Sequence, residues 1–173
     1  MRDDEVYKLL STPGWLLVPV GLPGAGKSTL GGRLVAHGLM HQHGILSTDT
    51  LRERLGGRRD WLGDEELVFR HVREILDARL RNGLTTYLDA TNVRAVDRNY
   101  ALAAAQAAGR AGLVVRFSEP KEVCRRRRAH QGVVYDDHVW DGLVKDLAEI
   151  DWNSLAVPWV DSAAVARIIA DQT

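Results

Sequence analysis

Five short apolar runs, none alternating strictly between apolar and polar positions, are separated by longer segments whose apolar residues recur every three or four positions. The first run, Trp15 to Val20, reads as a strand buried on both faces. Leu30, Leu34 and Val35 then mark a helix from Lys27 to about His37, stopped by Gly38. Gly44 to Ser47 is a second strand, followed by a helical turn over Leu51 to Leu55. A stripe of Leu67, Val68, His71, Val72, Ile75, Leu76 and Leu80 predicts a helix from Glu65 to Arg81, capped by Asp64 and ended by Asn82 and Gly83. Leu84 to Asp89 is a third strand, Ala95 to Ala108 an alanine-rich helix, and Leu113 to Phe117 a fourth strand. Helices over Lys121 to His130 and Asp137 to Ile150 follow. Val157 to Val160 is a fifth strand, placed at an edge by its proline, and Ala163 to Asp171 a closing helix. Residues 1–14 are a short lead with a helical turn ended by Pro13 and Gly14.

This alternation predicts an α/β fold, a parallel sheet with helices on both faces, built as one domain over residues 1–173. Ligands of such sheets bind beyond the carboxyl ends of the strands. Three chemistry-bearing segments fall there. Between the first strand and the first helix lies GLPGAGKST, Gly21 to Thr29, in which Gly21, Gly26, Lys27 and Ser28 occupy the fixed positions of a nucleotide triphosphate loop. Glycines let successive N–H groups turn inward around an anion, with Gly24 and Ala25 lending further backbone positions. The helix that begins at Lys27 presents its unpaired N–H groups to the same phosphates. Lys27 then reaches the β and γ phosphates and Ser28 holds Mg²⁺. After the second strand come Asp49 and Arg52, three residues apart on one helix face; after the third come Asp89 and Asn92.

Composition narrows the setting. With 173 residues, 45% of them hydrophobic, the chain can bury a proper core. Lys plus Arg and Asp plus Glu both count 23, so the net charge is zero and any polyanion affinity needs a local patch. The single Cys124 cannot form an internal disulfide, which fits a reducing compartment. No stretch approaches the roughly 20 apolar residues of a membrane span, and the charged amino terminus does not read as a signal; a cytoplasmic protein with no membrane partner is expected. His37, His41 and His43 straddle a helix end and a loop with no completing Cys or carboxylate, so a metal site is not expected there.

A phosphate loop alone leaves the reaction open. No N/T-K-x-D segment reads guanine, and Ala90 stands where ATPases place the glutamate that activates water. Phosphoryl transfer needs a carboxylate to accept the acceptor's hydroxyl proton and cations to neutralise the transferring group. Asp49 suits the first role, although Ser-x-Asp before a helix is also a capping arrangement. Arg52 could hold the acceptor, and Asp89 either orients Arg52 or orders water around Mg²⁺. Arg125 to Arg128 point around a whole helix, so only one or two can reach over a triphosphate from a lid spanning about 121–136. Arg126 and His130 form one same-side pair, Arg125 and Arg128 the other. Arg58, Arg59 and Trp61 either contact a polynucleotide or, in the case of Trp61, pin a loop.

These residues resemble the kinase domain of the polynucleotide kinase family, enzymes that phosphorylate 5′-hydroxyl ends of nucleic acid. The resemblance rests on the loop Gly21 to Thr29, the D-x-x-R pair Asp49 and Arg52, the segment Leu88 to Asn92 and the basic helix from Glu122 onward. It implies a P-loop kinase sheet with strand order 2-3-1-4-5, ATP or another nucleoside triphosphate as donor, and Mg²⁺ on Ser28 with Asp49 and Asp89 acting through water. It makes Lys27, Asp49, Arg52 and Arg126 catalytic, with Asp49 the general base, Arg126 on the donor phosphates and Arg52, Asp89 and Asn92 on the acceptor. A nucleic-acid 5′-hydroxyl end of RNA or DNA is the expected acceptor, within nucleic acid repair, with a second copy or a repair partner alongside. A small-molecule hydroxyl on an antibiotic, sugar or metabolite is the alternative, and a nucleotide-binding regulatory module the third reading.

Overall fold

The computed structural model describes residues 1–171. Five parallel strands, β1 (Leu16–Val20), β2 (Ile45–Ser47), β3 (Thr86–Asp89), β4 (Gly112–Arg116) and β5 (Trp159–Asp161), form one sheet in the order β2-β3-β1-β4-β5. That is the expected topology, with the proline-flanked fifth strand at an edge. Helices α1 (Asp3–Ser11), α2 (Lys27–Ala36), α3 (Thr48–Gly56), α4 (Glu65–Arg81), α5 (Ala95–Ala107), α6 (Lys121–His130), α7 (Asp137–Ala148) and α8 (Ser162–Ala170) fill the connections. The boundaries predicted from the sequence shift by a residue or two in most elements. Two elements are longer: the amino-terminal turn is a full helix, and the turn after β2 begins at Thr48, so Asp49 lies in its first turn while the Ser47 side chain accepts the capping bond from Thr50 N–H.

The pleat sends alternate side chains of the strands to opposite faces. Leu17, Leu113 and Val115 pack on one side with Val6 and Leu10 of α1, Leu30 and Leu34 of α2 and Ile168 and Ile169 of α8. Leu16, Val18 and Val114 pack on the other with Val68, Val72 and Leu76 of α4 and Ala101 and Ala105 of α5. Both faces are covered, which explains why the strand sequences are continuously apolar. Among the described residues no helix is long and apolar enough to cross a membrane.

One position breaks the ladder. Pro19 lies in the central strand and has no N–H to donate. Pairing of β1 with β4 runs from Leu16 to Val20, whereas pairing with β3 is confined to Leu16 and Leu17. Asn92, at φ 51°, fills the gap that follows. Its Nδ2 donates to Pro19 O at 2.7 Å, Leu88 O at 3.0 Å and Ala90 O at 3.2 Å. Asn tolerates the left-handed region better than most residues, and its amide stands in for the missing ladder donor. Asn92→Ala removes a donor from three buried carbonyls and is expected to cost roughly 2–4 kcal/mol, read as a lower urea midpoint at unchanged slope.

Candidate active site

The strands deliver their carboxyl ends to a cleft of about 860 Å³ whose lining includes residues 23–30, Asp49, Arg52, Asp89, Arg127 and Arg128. Gly24 at φ 83° and Gly26 at φ 100° adopt backbone that L side chains rarely take. A Cβ at Gly24 would also meet the Cys124 carbonyl at 2.5 Å, so the loop lies directly against α6. Lys27 is buried. Its Nζ donates to Gly21 O at 2.9 Å and Leu22 O at 2.7 Å, folded back over the loop. Burial lowers its pKa to about 8, opposed by the nearby charge of Asp89. Tyr87 donates its hydroxyl to Lys27 O at 2.6 Å, tying the start of α2 to β3.

Ser28 donates its hydroxyl to Asp89 Oδ2 at 2.8 Å. Burial raises the Asp89 pKa, with the Ser28 hydrogen bond acting in the opposite direction. Asp89 therefore supports the loop serine rather than Arg52. The arginine is held elsewhere: Nε and Nη2 donate to Glu65 Oε1 and Oε2, both at 2.8 Å, and Nη1 to Asp49 Oδ1 at 2.9 Å. Its side chain is 12% exposed, a planar fork closed on a carboxylate from α4. Sequence reading gave Glu65 no role beyond starting that helix. It comes within reach because the 57–64 loop folds back, pinned by Trp61, whose ring fills the space beside Gly56 and Gly63. Arg58 pairs with Asp60 and Arg59 with Glu53, both at the surface.

The basic helix distributes its four arginines as its geometry requires. Arg125 pairs with Asp137 at 2.6 Å; Arg127 donates to Gly24 O at 3.3 Å and pairs with Glu119. Arg128 enters the site, donating to Asp49 Oδ2 at 3.3 Å, Gln131 Oε1 at 3.1 Å and Tyr135 Oη at 2.9 Å. Arg126, the expected phosphate contact, is exposed and does not line the cleft; His130 does. The reason is helical phase. Cys124 faces the core, and the residue one turn on, sharing its face, is Arg128. Asn92, expected on the acceptor, is instead 3% exposed and spends its amide on the backbone. Asp49, Arg52, Lys27, Ser28, Thr29 and Asp89 do come together in one cleft.

Oxygen donors dominate where a cation would sit: the Ser28 hydroxyl and the carboxylates of Asp89 and Asp49. Among the described residues no group of three or more His, Cys, Asp or Glu could hold a metal alone. His41 and His43 are exposed and stack on each other, with ring centroids 4.9 Å apart.

A parallel 2-3-1-4-5 sheet with a glycine loop after its first strand defines the class of P-loop kinase folds. The model of the AAA domain family matches residues 16–147, and the chain belongs to that family. Comparison with curated proteins finds no matching sequence. Solved structures are similar in fold. A protein from Chloroflexus aurantiacus J-10-fl provisionally assigned as a kinase aligns with TM-score 0.65 at 16% identity, covering 93% of this chain and 97% of its own. A sugar kinase from Janibacter sp. HTCC2649 aligns at 0.61 and 16%, covering 92% of both chains. A gluconokinase from Sinorhizobium meliloti 1021 aligns at 0.56 and 17%, covering 92% and 95%.

The Arg52–Glu65 fork is a half-buried bidentate pair between two helices. A double-mutant cycle with Arg52→Ala and Glu65→Ala is expected to give a coupling of about 1–2 kcal/mol in urea unfolding. A coupling near zero would mean the pair does not hold α3 to α4.

Proposed function

We propose that the chain is an ATP- and Mg²⁺-dependent kinase that transfers the γ-phosphoryl group to a hydroxyl of a small molecule. The observation that carries the reading is the engagement of Arg52. In the polynucleotide reading this guanidinium takes the acceptor's phosphate, yet both edges of its fork are already bound, to Glu65 and to Asp49. Loop arginines 58 and 59 are paired as well, with Asp60 and Glu53, which weakens their pull on a nucleic-acid strand. The sugar kinase and the gluconokinase among the similar folds point the same way.

The donor triphosphate lies on the loop, with the N–H groups at the start of α2 and the Lys27 ammonium on its oxygens. To reach them Lys27 exchanges two carbonyl partners for phosphate oxygens. The donor set fits Mg²⁺, which Ser28 and, through water, Asp89 and Asp49 would hold; it would supply positive charge to neutralise the phosphates. Asp49 takes the proton of the acceptor hydroxyl as that oxygen forms its bond to phosphorus. The bond between phosphorus and the β,γ-bridging oxygen breaks, and ADP leaves with its electron pair. Arg128, hydrogen-bonded to Asp49, lies beside the loop and stabilises the charge of the transferring group.

Asp49→Asn is expected to lower kcat by at least 100-fold while changing nucleotide affinity less than about threefold, measured by coupled ADP release and calorimetry. Equal loss of both would make Asp49 structural. Arg128→Ala should cost at least tenfold in kcat and Arg126→Ala less than twofold. The acceptor class is read by incubating the protein with labelled ATP and either a panel of small alcohols and sugars or a 5′-hydroxyl oligonucleotide. Label on a small molecule supports the reading. Label only on the oligonucleotide end replaces it with the polynucleotide activity, and binding without any transfer replaces it with a regulatory module.

A further inference from the structure

Sheet order divides the cleft. α6 and α8 border it on the β4 and β5 side, taken here as the donor side; α3 and the amino-terminal turns of α4 and α5 border it on the β2 and β3 side, left for the acceptor, with the glycine loop and α2 between. On that second side four carboxylates, Asp49, Glu65, Asp89 and Asp97, face two guanidiniums, Arg52 and Arg94. Three of the carboxylates have partners already described. Asp97 does not: its side chain is 12% exposed, its nearest cation is Arg94 Nε at 3.8 Å, beyond hydrogen-bond distance, and among the described residues it accepts no hydrogen bond. It stands in the first turn of α5 but makes no side-chain cap.

A second acceptor lacks a donor beside it. Asn92 Oδ1 is buried without a partner, and Asn92 lines, together with Asp97, Arg73 and Tyr100, a small cavity of about 10 Å³, room for about one water. Asp97 lines both this cavity and the main cleft. Of these two acceptors only Asp97 opens to the main cleft, next to an apolar surface of Phe69, while Asn92 faces the small cavity alone. A largely covered carboxylate whose one cation stays beyond hydrogen-bond distance gains from a further donor.

We propose that Asp97 is a specificity-determining residue that binds an ammonium group of the acceptor, so that the substrate is an amino alcohol or amino sugar whose hydroxyl is offered to Asp49. This rests on the small-molecule kinase reading and deepens it. Desolvation raises the Asp97 pKa, Arg94 and Arg73 act against that rise, and Glu65 adds its repulsion, so an arriving cation relieves two carboxylates at once. An anionic acceptor beside Asp97 meets the carboxylates of Asp97 and Glu65, with Arg52 closed on Glu65 and Arg94 paired to Asp97 at 3.8 Å. The phosphoryl-transfer step is unchanged: the ammonium positions the acceptor and takes no part in bond making.

The test uses acceptors that differ chiefly in charge: glucosamine, glucose and glucuronate; 2-deoxystreptamine, myo-inositol and quinate; ethanolamine, ethylene glycol and glycolate. With the intact protein, kcat/KM for an amine is expected to exceed that of its neutral counterpart at least tenfold and that of its anionic one at least 100-fold. Asp97→Asn, which keeps the shape, should bring the amine down to the neutral level through KM and leave the neutral acceptor and nucleotide affinity within about threefold. Asp97→Glu should retain a preference for amines, which a merely structural role would not produce. A best acceptor that is neutral or anionic, from these sets or from the wider panel, or an amine preference that survives Asp97→Asn, overturns the charge assignment while the small-molecule kinase reading stands. Transfer to the oligonucleotide alone removes the kinase reading itself and the ammonium subsite with it.

Discussion

Asp49 is gripped from two sides, and the layout of the cleft depends on that grip. Arg52 donates to one carboxylate oxygen at 2.9 Å and Arg128 to the other at 3.3 Å. One arginine comes from the same helix and is locked by Glu65 of α4; the other comes from α6. A single carboxylate thereby joins the helix after β2, the long helix before β3 and the basic helix after β4. Each contact is short-range and directional, so the positions of both Asp49 carboxylate oxygens are set by three elements rather than one. Truncating either arginine frees one oxygen, but the other remains held.

Sheet topology explains why these groups meet. Parallel strands put every carboxyl end at the same edge, and the 2-3-1-4-5 order places the glycine loop at the centre with the two halves of the cleft to either side. The charges follow that division. Arg127 and Arg128 reach the loop from the β4 side, while carboxylates collect on the β2 and β3 side. Charge is thus distributed unevenly within one cleft, although the chain as a whole is neutral.

The fold and the centre of the site were legible because their signals are local. The glycine loop is contiguous, and Asp49 and Arg52 are one helical turn apart, so spacing alone puts them together. Glu65 was invisible for the opposite reason: it is 13 residues from Arg52, across a loop whose path depends on Trp61 packing against two glycines. The choice of arginine on the basic helix could have been made from Cys124, whose inward face is continued four residues later by Arg128 rather than by Arg126. Asn92 looked like a ligand because it is polar and follows Asp89. Its positive φ and its three carbonyl partners arise from the separation of two strands, which no periodicity reports.

That separation begins at Pro19. In the middle of a buried sheet, one residue without a donor is usually a defect; here it ends the β1–β3 ladder after Leu17, and backbone pairing resumes at Gly21, whose N–H reaches Thr91 O at 3.0 Å. The crevice between the glycine loop and the chain after β3 is thus begun by an omission in the backbone and propped by an amide side chain. A pocket cut this way keeps its opening independent of the residues lining it, so those residues are free to change chemistry without the floor having to be rebuilt.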